Sequence, residues 1–436
     1  MNVLTNDVFK SEQSKMRANL QEIRDALMGK EKGVVYGFHV DSSESDPSAR
    51  VTYLEDAVGM TPAKMDFTSG KFKWGSWRNA FFLPKPCMLK FDGTVDYYLD
   101  PDNYDLKESG EASDVANDAY EGNAMMEWGQ NGKKIWYKVV PDSDDDTSAS
   151  VYIADHQVDE DYRAWSFINN QGELVDHFYT PIYNGSIDSA GRLRSISGKT
   201  YASFCKNKNA QQEITAAELN NPSGVKLWYT EVMADVTLID FLLILMGKST
   251  DGQTVYGTGR CGQASNESNM LTTGTMNSKG VFYGASGNTE GVKVFGMEHW
   301  WGNQWRRYAG HMLVERVHKI KMTRGRQDGS TADDYNITGE GYLTGVTSPS
   351  TDGFVSGMSF GNDTICTKSV DGGSSSTHWC DHFWQNTGTR CAFRGGPCRS
   401  SAGNVGPFYV RLSYAPSYAD WDVGAALSCK PLSREG

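Results

Sequence analysis

His378–Cys429 reads HWCDHFWQNTGTRCAFRGGPCRSSAGNVGPFYVRLSYAPSYADWDVGAALSC. These 52 residues contain no Lys, Glu, Met or Ile, yet nine aromatics: Trp379, Phe383, Trp384, Phe393, Phe408, Tyr409, Tyr414, Tyr418 and Trp421. Arg390, Arg394, Arg399 and Arg411 stand against Asp381, Asp420 and Asp422, a net +1 in a chain of −12. Tyr, Trp and Arg bring contact area and directed hydrogen bonds at low entropic cost, and small residues between them let a partner come close. The composition is that of a binding surface.

The spacing extends this reading. Phe408, Val410 and Leu412 alternate with Pro407, Tyr409 and Arg411, the period of a half-buried strand whose outer side would show Tyr409 and Arg411. Beyond Ser413 the candidate exposed residues are Tyr414, Pro416, Tyr418, Asp420 and Asp422, separated by Ala415, Ser417, Ala419 and Trp421. Pro416 argues against a helix or a regular ladder and suits an extended segment. The same pattern is open to a second reading, an aromatic-rich core strand followed by a loop.

Cys-Asp-x-x-Trp at 380–384, Arg390, Ala392, Arg394-Gly395-Gly396, Gly403, Gly406, Phe408, Leu412 and Gly424-Ala425-Ala426-Leu427-Ser428 together resemble the variable region of proteins diversified by diversity-generating retroelements. Upstream, VKVFGMEHWWGNQW (Val292–Trp305) resembles the framework of that family. The resemblance implies a C-type lectin-like fold of the formylglycine-generating-enzyme subtype, with Trp301-Gly302-Asn303-Gln304-Trp305 and Arg394-Gly395-Gly396 as its hallmarks. Residues 1 to about 200 resemble gut-phage tail proteins that carry such a domain, so the likeness covers nearly the whole chain.

In that family, mutagenesis randomises adenines, mostly at Asn-type codons. Such codons reach Tyr, Asp, His, Arg, Pro, Phe, Ser and Ala, but not Lys, Glu, Met or Trp. The resemblance implies a ligand-binding patch of His382, Phe383, Arg394, Pro397, Arg399, Asn404, Pro407, Tyr409, Arg411, Tyr414, Pro416, Tyr418, Asp420 and Asp422. It implies a structural framework of Trp301, Trp305, Trp384, Gly395, Gly396 and Trp421. The expected partners are a bacterial surface receptor, protein or glycan, other phage tail proteins through the N-terminus, and further copies in a homotrimer. The expected place is the virion, at the tail tip or fibre, after synthesis in the host cytoplasm. A structural tail or baseplate protein, or a bacterial surface-displayed binder of the same fold, are the alternatives.

A chain of 436 residues calls for two or three domains. Its 46 Gly, 21 Tyr and 12 Trp point to a β-rich, loop-rich protein. The expected class is α+β, mostly β. An attachment or trimerisation helix over 1–33 precedes a β-rich domain over 34–190 and a lectin-like domain over 191–436, whose variable region is about 378–428. A net charge of −12 argues against nucleic acid, which asks for a basic footprint. The first thirty residues are charged throughout, unlike a signal peptide.

Leu4, Val8, Met16, Leu20, Ile23 and Leu27 place a helix over Met1–Gly29, whose stripe meets either other copies or its own domain. Val34–Val40 and Val51–Leu54 read as strands around Ser45-Asp46-Pro47. Phe91-Asp92-Gly93-Thr94 reads as a hairpin turn joining Cys87–Lys90 to Val95–Leu99, because Asp-Gly tolerates positive φ. Lys134–Val140 and Val151–Ile153 flank the acidic run Asp142–Thr147. That run starts like a calcium loop, but Thr147 and Ile153 stand where the turn glycine and the bidentate Glu belong, so it reads as a solvated turn. Residues 188–200 are polar enough for a junction. Thr215-Ala216-Ala217-Glu218 has the capping-box pattern of a helix start. Leu227–Met246 reads as a helix ended by Gly247; Glu231, Asp235 and Asp240 interrupt it, making it a buried core helix and not a membrane span.

The chemistry-bearing patterns are weak. Tyr256–Arg260 holds a GxG without the strand–GxGxxG–helix context of a dinucleotide site. Glu298 and His299 adjoin, but neighbours on a strand point to opposite faces. The eight cysteines form no CxxC and no zinc spacing. Cys391 and Cys398 form either a loop disulfide or two thiols, and a reducing cytoplasm favours thiols. The formylglycine-generating relatives use a cysteine pair for copper and oxygen chemistry; no pair here matches it, so that activity is not carried over. His378 and His382 lack a paired carboxylate pattern. The expectation is a binding protein without catalytic residues, cofactor or metal.

Overall fold

A computed structural model describes residues 33–323, 331, 333–335 and 339–432. The helix expected over Met1–Gly29 lies outside them. The fold is built around the Met233–Gly247 helix, all 15 residues of which are buried. A helix buried all round must be covered on every side. Phe241 shows how: its ring centroid lies 6.2 Å from Phe38, 5.7 Å from Tyr137 and 6.4 Å from Phe360. The helix closes where Lys248 turns to φ 50 and its amide donates to the Ile244 carbonyl at 2.8 Å. Its polar side chains are partnered: Asp235 accepts from Ser428 Oγ at 3.0 Å and pairs with Lys430 at 3.0 Å. No helix among the described residues is long and apolar enough to cross a membrane.

The rest is mostly β, in three main sheets. A four-stranded antiparallel sheet runs Val51–Glu55, Val35–Val40, Ala149–Ala154, Trp136–Pro141. In its edge strand Val51 and Tyr53 are buried while Thr52 is exposed, the alternation of a strand with one wet face. A six-stranded sheet runs Trp228–Thr230, Leu427–Cys429, Phe178–Pro181, Gly122–Trp128, Lys85–Lys90, Val95–Tyr98. The expected hairpin joins its last two strands: Gly93 has φ +83 and Asp92 accepts from the Thr94 amide at 2.9 Å. The third sheet runs Tyr342–Thr347, Val317–Lys321, Trp305–Val314, Arg390–Arg394, Val410–Leu412, His382–Gln385, Gly353–Phe354. Val423–Ala425 adds a parallel strand beside Trp305.

Two helix expectations are corrected. Trp228–Thr230, expected as the start of a helix, is a strand paired with Leu427–Cys429; its aromatic and β-branched residues suit a pleated surface. The helix expected to start at Thr215 runs Ala210–Glu218. Its capping box is Asn209 with Gln212, each side chain bonded to the other's backbone amide at 2.9 and 3.0 Å, so Thr215–Glu218 is the last turn.

A single core cluster runs from Phe38 to Val423, through the boundary expected near 190. There Ser186–Ile187 pairs with Leu193–Arg194, and the buried Arg194 donates to the carbonyls of Tyr120 (2.8 Å) and Gly122 (2.6 Å). Tyr179 lies opposite Cys429 in one sheet. Asp363 accepts from the Val139 amide at 3.2 Å and from the Trp165 indole at 3.0 Å. The central helix needs cover from both stretches, and that requirement ties them together.

Candidate ligand-binding surface

The site is built on a buried ionic floor. Glu231 Oε1 accepts from Arg306 Nη1 at 3.1 Å and Arg394 Nη2 at 2.9 Å, and all three residues are about 2% exposed or less. Arg394 also donates to the Trp300 carbonyl at 2.6 Å, with its guanidinium carbon 3.3 Å from the Trp300 ring centre. Trp300 in turn donates to Asp240 at 3.4 Å, whose carboxyl burial pushes up to about 7.

This floor joins Trp301–Trp305 to Arg394-Gly395-Gly396. Gly302 donates to the Gly395 carbonyl at 2.7 Å, Cys398 to Asn303 at 2.9 Å and Gly395 to Tyr409 at 2.9 Å. Gly395 has φ +80, and a Cβ there would lie 2.8 Å from the Trp300 carbonyl oxygen. Only glycine allows that approach.

On the outer side, register aligns Trp384 with Arg411 and Arg411 with Phe393. Arg411 lies with its guanidinium carbon 4.1 Å from the Tyr414 ring centre and 5.0 Å from that of Trp384. Tyr414 and Tyr418 stack at 3.7 Å with planes 6° apart, edge-on above buried Phe393. His382 lies 4.6 Å from Trp384. These form one continuous row of half-buried rings around Arg411. Burial, then the neighbouring Asp420 that accepts its hydroxyl at 2.7 Å, holds the Tyr418 phenol above its usual range. Burial holds the His382 imidazole below its usual value.

The segment carrying the tyrosines is fastened by its backbone. The carbonyl of Tyr418 accepts from Arg307 Nη2 at 2.6 Å, that of Pro416 from the Ala210 amide at 3.0 Å, and that of Asp420 from the Asn207 amide at 3.0 Å. Arg307 is itself held by Glu213 at 3.3 Å. The side chains are therefore not needed to fix the path of the segment.

Half of the expected patch is not at the surface. Phe383, Arg394, Pro397, Pro407, Tyr409, Pro416 and Asp422 are buried, which corrects their placing among ligand contacts. Phe383 is on the inner face of its strand. Arg394 belongs to the ionic floor. Pro397 lies in the turn after Gly396, its carbonyl accepting from Ser400 at 3.0 Å. Pro407 packs on Gly252. Pro416 sits where the segment meets Ala210. Asp422 is paired with Arg399 at 2.6 Å. Tyr409 is on the same side as Arg411 but 2% exposed, its ring 4.7 Å from Trp305 and its hydroxyl under Trp384. His382, Arg399, Asn404, Arg411, Tyr414, Tyr418 and Asp420 remain half-buried at the surface.

The framework is corrected in the opposite direction. Trp301 and Trp305 are buried as expected, and Gly395 and Gly396 take positive φ. Trp384 and Trp421 are half-exposed instead. Trp384 shares the surface row, and Trp421 has the Arg399 guanidinium 5.9 Å from its ring centre. The period-two spacing of His382 and Trp384 around Phe383 was the signal for this.

Cys391 and Cys398 are buried free thiols. Glu298 is buried, its carboxylate accepting the amides of Gly274 at 2.8 Å and Met276 at 3.0 Å. In the acidic run, Asp145 accepts from Ser42 at 2.6 Å and Asp146 from Ser359 at 2.7 Å. Among the described residues no group of three or more His, Cys, Asp or Glu could hold a metal ion. No protein-family model matches the chain, and no curated protein matches it.

Proposed function

We propose that this chain is a receptor-binding protein of a bacteriophage tail, whose C-terminal lectin-like part presents the row from His382 to Tyr418 to a molecule on the bacterial surface. One observation carries the reading: a continuous row of half-exposed rings around Arg411 lies on a framework whose buried charges are paired and whose loop is held by its carbonyls. Aromatic and arginine anchors are the residues that dominate recognition surfaces. A loop fastened through its backbone lets its side chains be exchanged at small cost in stability, which is what a diversified site requires. The meeting of Trp301–Trp305 with Arg394-Gly395-Gly396 supports the lectin-like reading, because these are the motifs on which the resemblance rests. The reading assigns no reaction to the site. Several copies on one tail would raise avidity without new contacts.

The test is adsorption of the purified full chain to a panel of bacterial strains. Wild type is expected to adsorb to some of them, and Trp384→Ala to lose about tenfold or more, as removal of an interface anchor does. Equal adsorption by Trp384→Ala and wild type would place recognition elsewhere.

A further inference from the structure

We propose that Arg411 is the anchor for a carboxylate on an acidic glycan; the inference rests on the recognition reading above and names its ligand class. Arg411 differs from Arg306, Arg307, Arg394 and Arg399 of this site. Arg306 and Arg394 are paired with Glu231, Arg307 with Glu213 and Arg399 with Asp422. Arg411 donates only from Nε, to Ser413 Oγ at 2.8 Å. Among the described residues no carboxylate lies within ion-pair distance of it, and neither Nη atom has a hydrogen-bond partner. The guanidinium plane is nevertheless held in place, with the rings of Tyr414 and Trp384 at 4.1 and 5.0 Å. A held guanidinium with an open Nη edge matches the two oxygens of a carboxylate, and its geometry is fixed before the ligand arrives.

The surroundings select the carrier of that carboxylate. Trp384 offers a flat, half-exposed ring beside the charge. Such a ring stacks on the apolar C–H face of a pyranose. A peptide side chain of comparable worth instead asks for a desolvated pocket to fill. The chain carries −12, so its overall field repels an anion. Binding of an acidic sugar here therefore depends on the local fork and not on general attraction.

The experiment uses the surface polysaccharide of a strain to which the full chain adsorbs. It is compared with the same polysaccharide after its carboxyl groups have been reduced to alcohols. The expected result is binding to the native polymer and a loss of about tenfold or more on reduction, the worth of a charge-assisted pair. Arg411→Gln is expected to lose the same factor on native polymer and nothing further on the reduced one. Arg411→Lys keeps the charge without the fork and falls between; both variants are checked for an unchanged melting temperature. Adsorption to cells without binding to their polysaccharide, equal binding to reduced polymer, or an unaffected Arg411→Gln overturns the acidic-glycan assignment and leaves surface recognition standing. Failure to adsorb to any strain overturns the recognition reading itself, and this inference with it.

Discussion

The indole N–H of Trp384 donates to the hydroxyl of Tyr409 at 3.0 Å. The donor is half-exposed and the acceptor is buried, so one bond links the surface row to the core beneath it. Ser400 lies 3.4 Å from the same hydroxyl. Tyr409→Phe should cost about 1 kcal/mol of stability, the worth of one such bond, and weaken adsorption by freeing the Trp384 ring. Tyr409→Ala should cost about 3–5 kcal/mol, as loss of a large buried side chain does. Urea unfolding measures both, and a cost for Tyr409→Ala below that of Tyr409→Phe would show that the ring is not core.

The stacked pair behaves differently. Tyr414 and Tyr418 lie at the surface above Phe393, and their loop is held by carbonyls. Replacing both with Ala should cost only about 1 kcal/mol, the scale of an aromatic pair, while adsorption falls at least about tenfold. The pair is the better probe of recognition than Tyr409, whose loss disturbs the fold as well. A variant that unfolds in the cold, or one that adsorbs as wild type does, contradicts this division of labour.

Glu231 holds two arginines at once. Glu231→Leu leaves Arg306 and Arg394 as buried charges without their shared partner. The expected cost is about 3–5 kcal/mol, the scale for breaking a buried ion pair from one side. A shift in the urea midpoint equivalent to less than about 1 kcal/mol would mean that the arginines find water or another acceptor.

A buried relay sets part of the acid response. Thr367 O can only accept, so His318 Nε2 donates to it at 2.9 Å; His311 Nε2 then donates to His318 Nδ1 at 2.8 Å, and Tyr308 donates to His311 Nδ1 at 3.0 Å. Burial pulls His318 down to about 4 and His311 well below its usual value. The unfolded histidines take up protons below about pH 6.5, which the folded ones refuse. Their contribution is thus present above pH 6.5 and lost as pH falls toward 4. Glu213 and Asp240 act in the opposite sense: burial raises both to about 7, so their contribution is present at low pH and lost as pH rises through 7. A difference measurement isolates the histidine. The cost of His318→Gln should shrink on acidification from pH 6.5 to 4, by up to about 1.4 kcal/mol per pH unit for one proton. Parallel stability curves for variant and wild type would mean that His318 titrates in the fold as it does in the unfolded chain.

The mostly β class, the Asp92-Gly93 hairpin, the strands flanking Asp142–Thr147 and a buried helix ending at Gly247 were legible in the chain, because period, turn chemistry and apolar runs act over a few residues. The resemblance also marked Trp301, Trp305, Gly395 and Gly396 as framework, and the composition picked out the stretch that carries the surface row. What the sequence could not decide was which side chains of that stretch face water. An alternation says that Tyr409 and Arg411 share a side; only the tertiary structure places Trp384, 25 residues away, over the first and beside the second. Arg394 reads as a surface cation until Glu231 is brought 2.9 Å from it. Whether a polar or aromatic residue is exposed depends on the partners that desolvate it, and those arrive from distant parts of the chain.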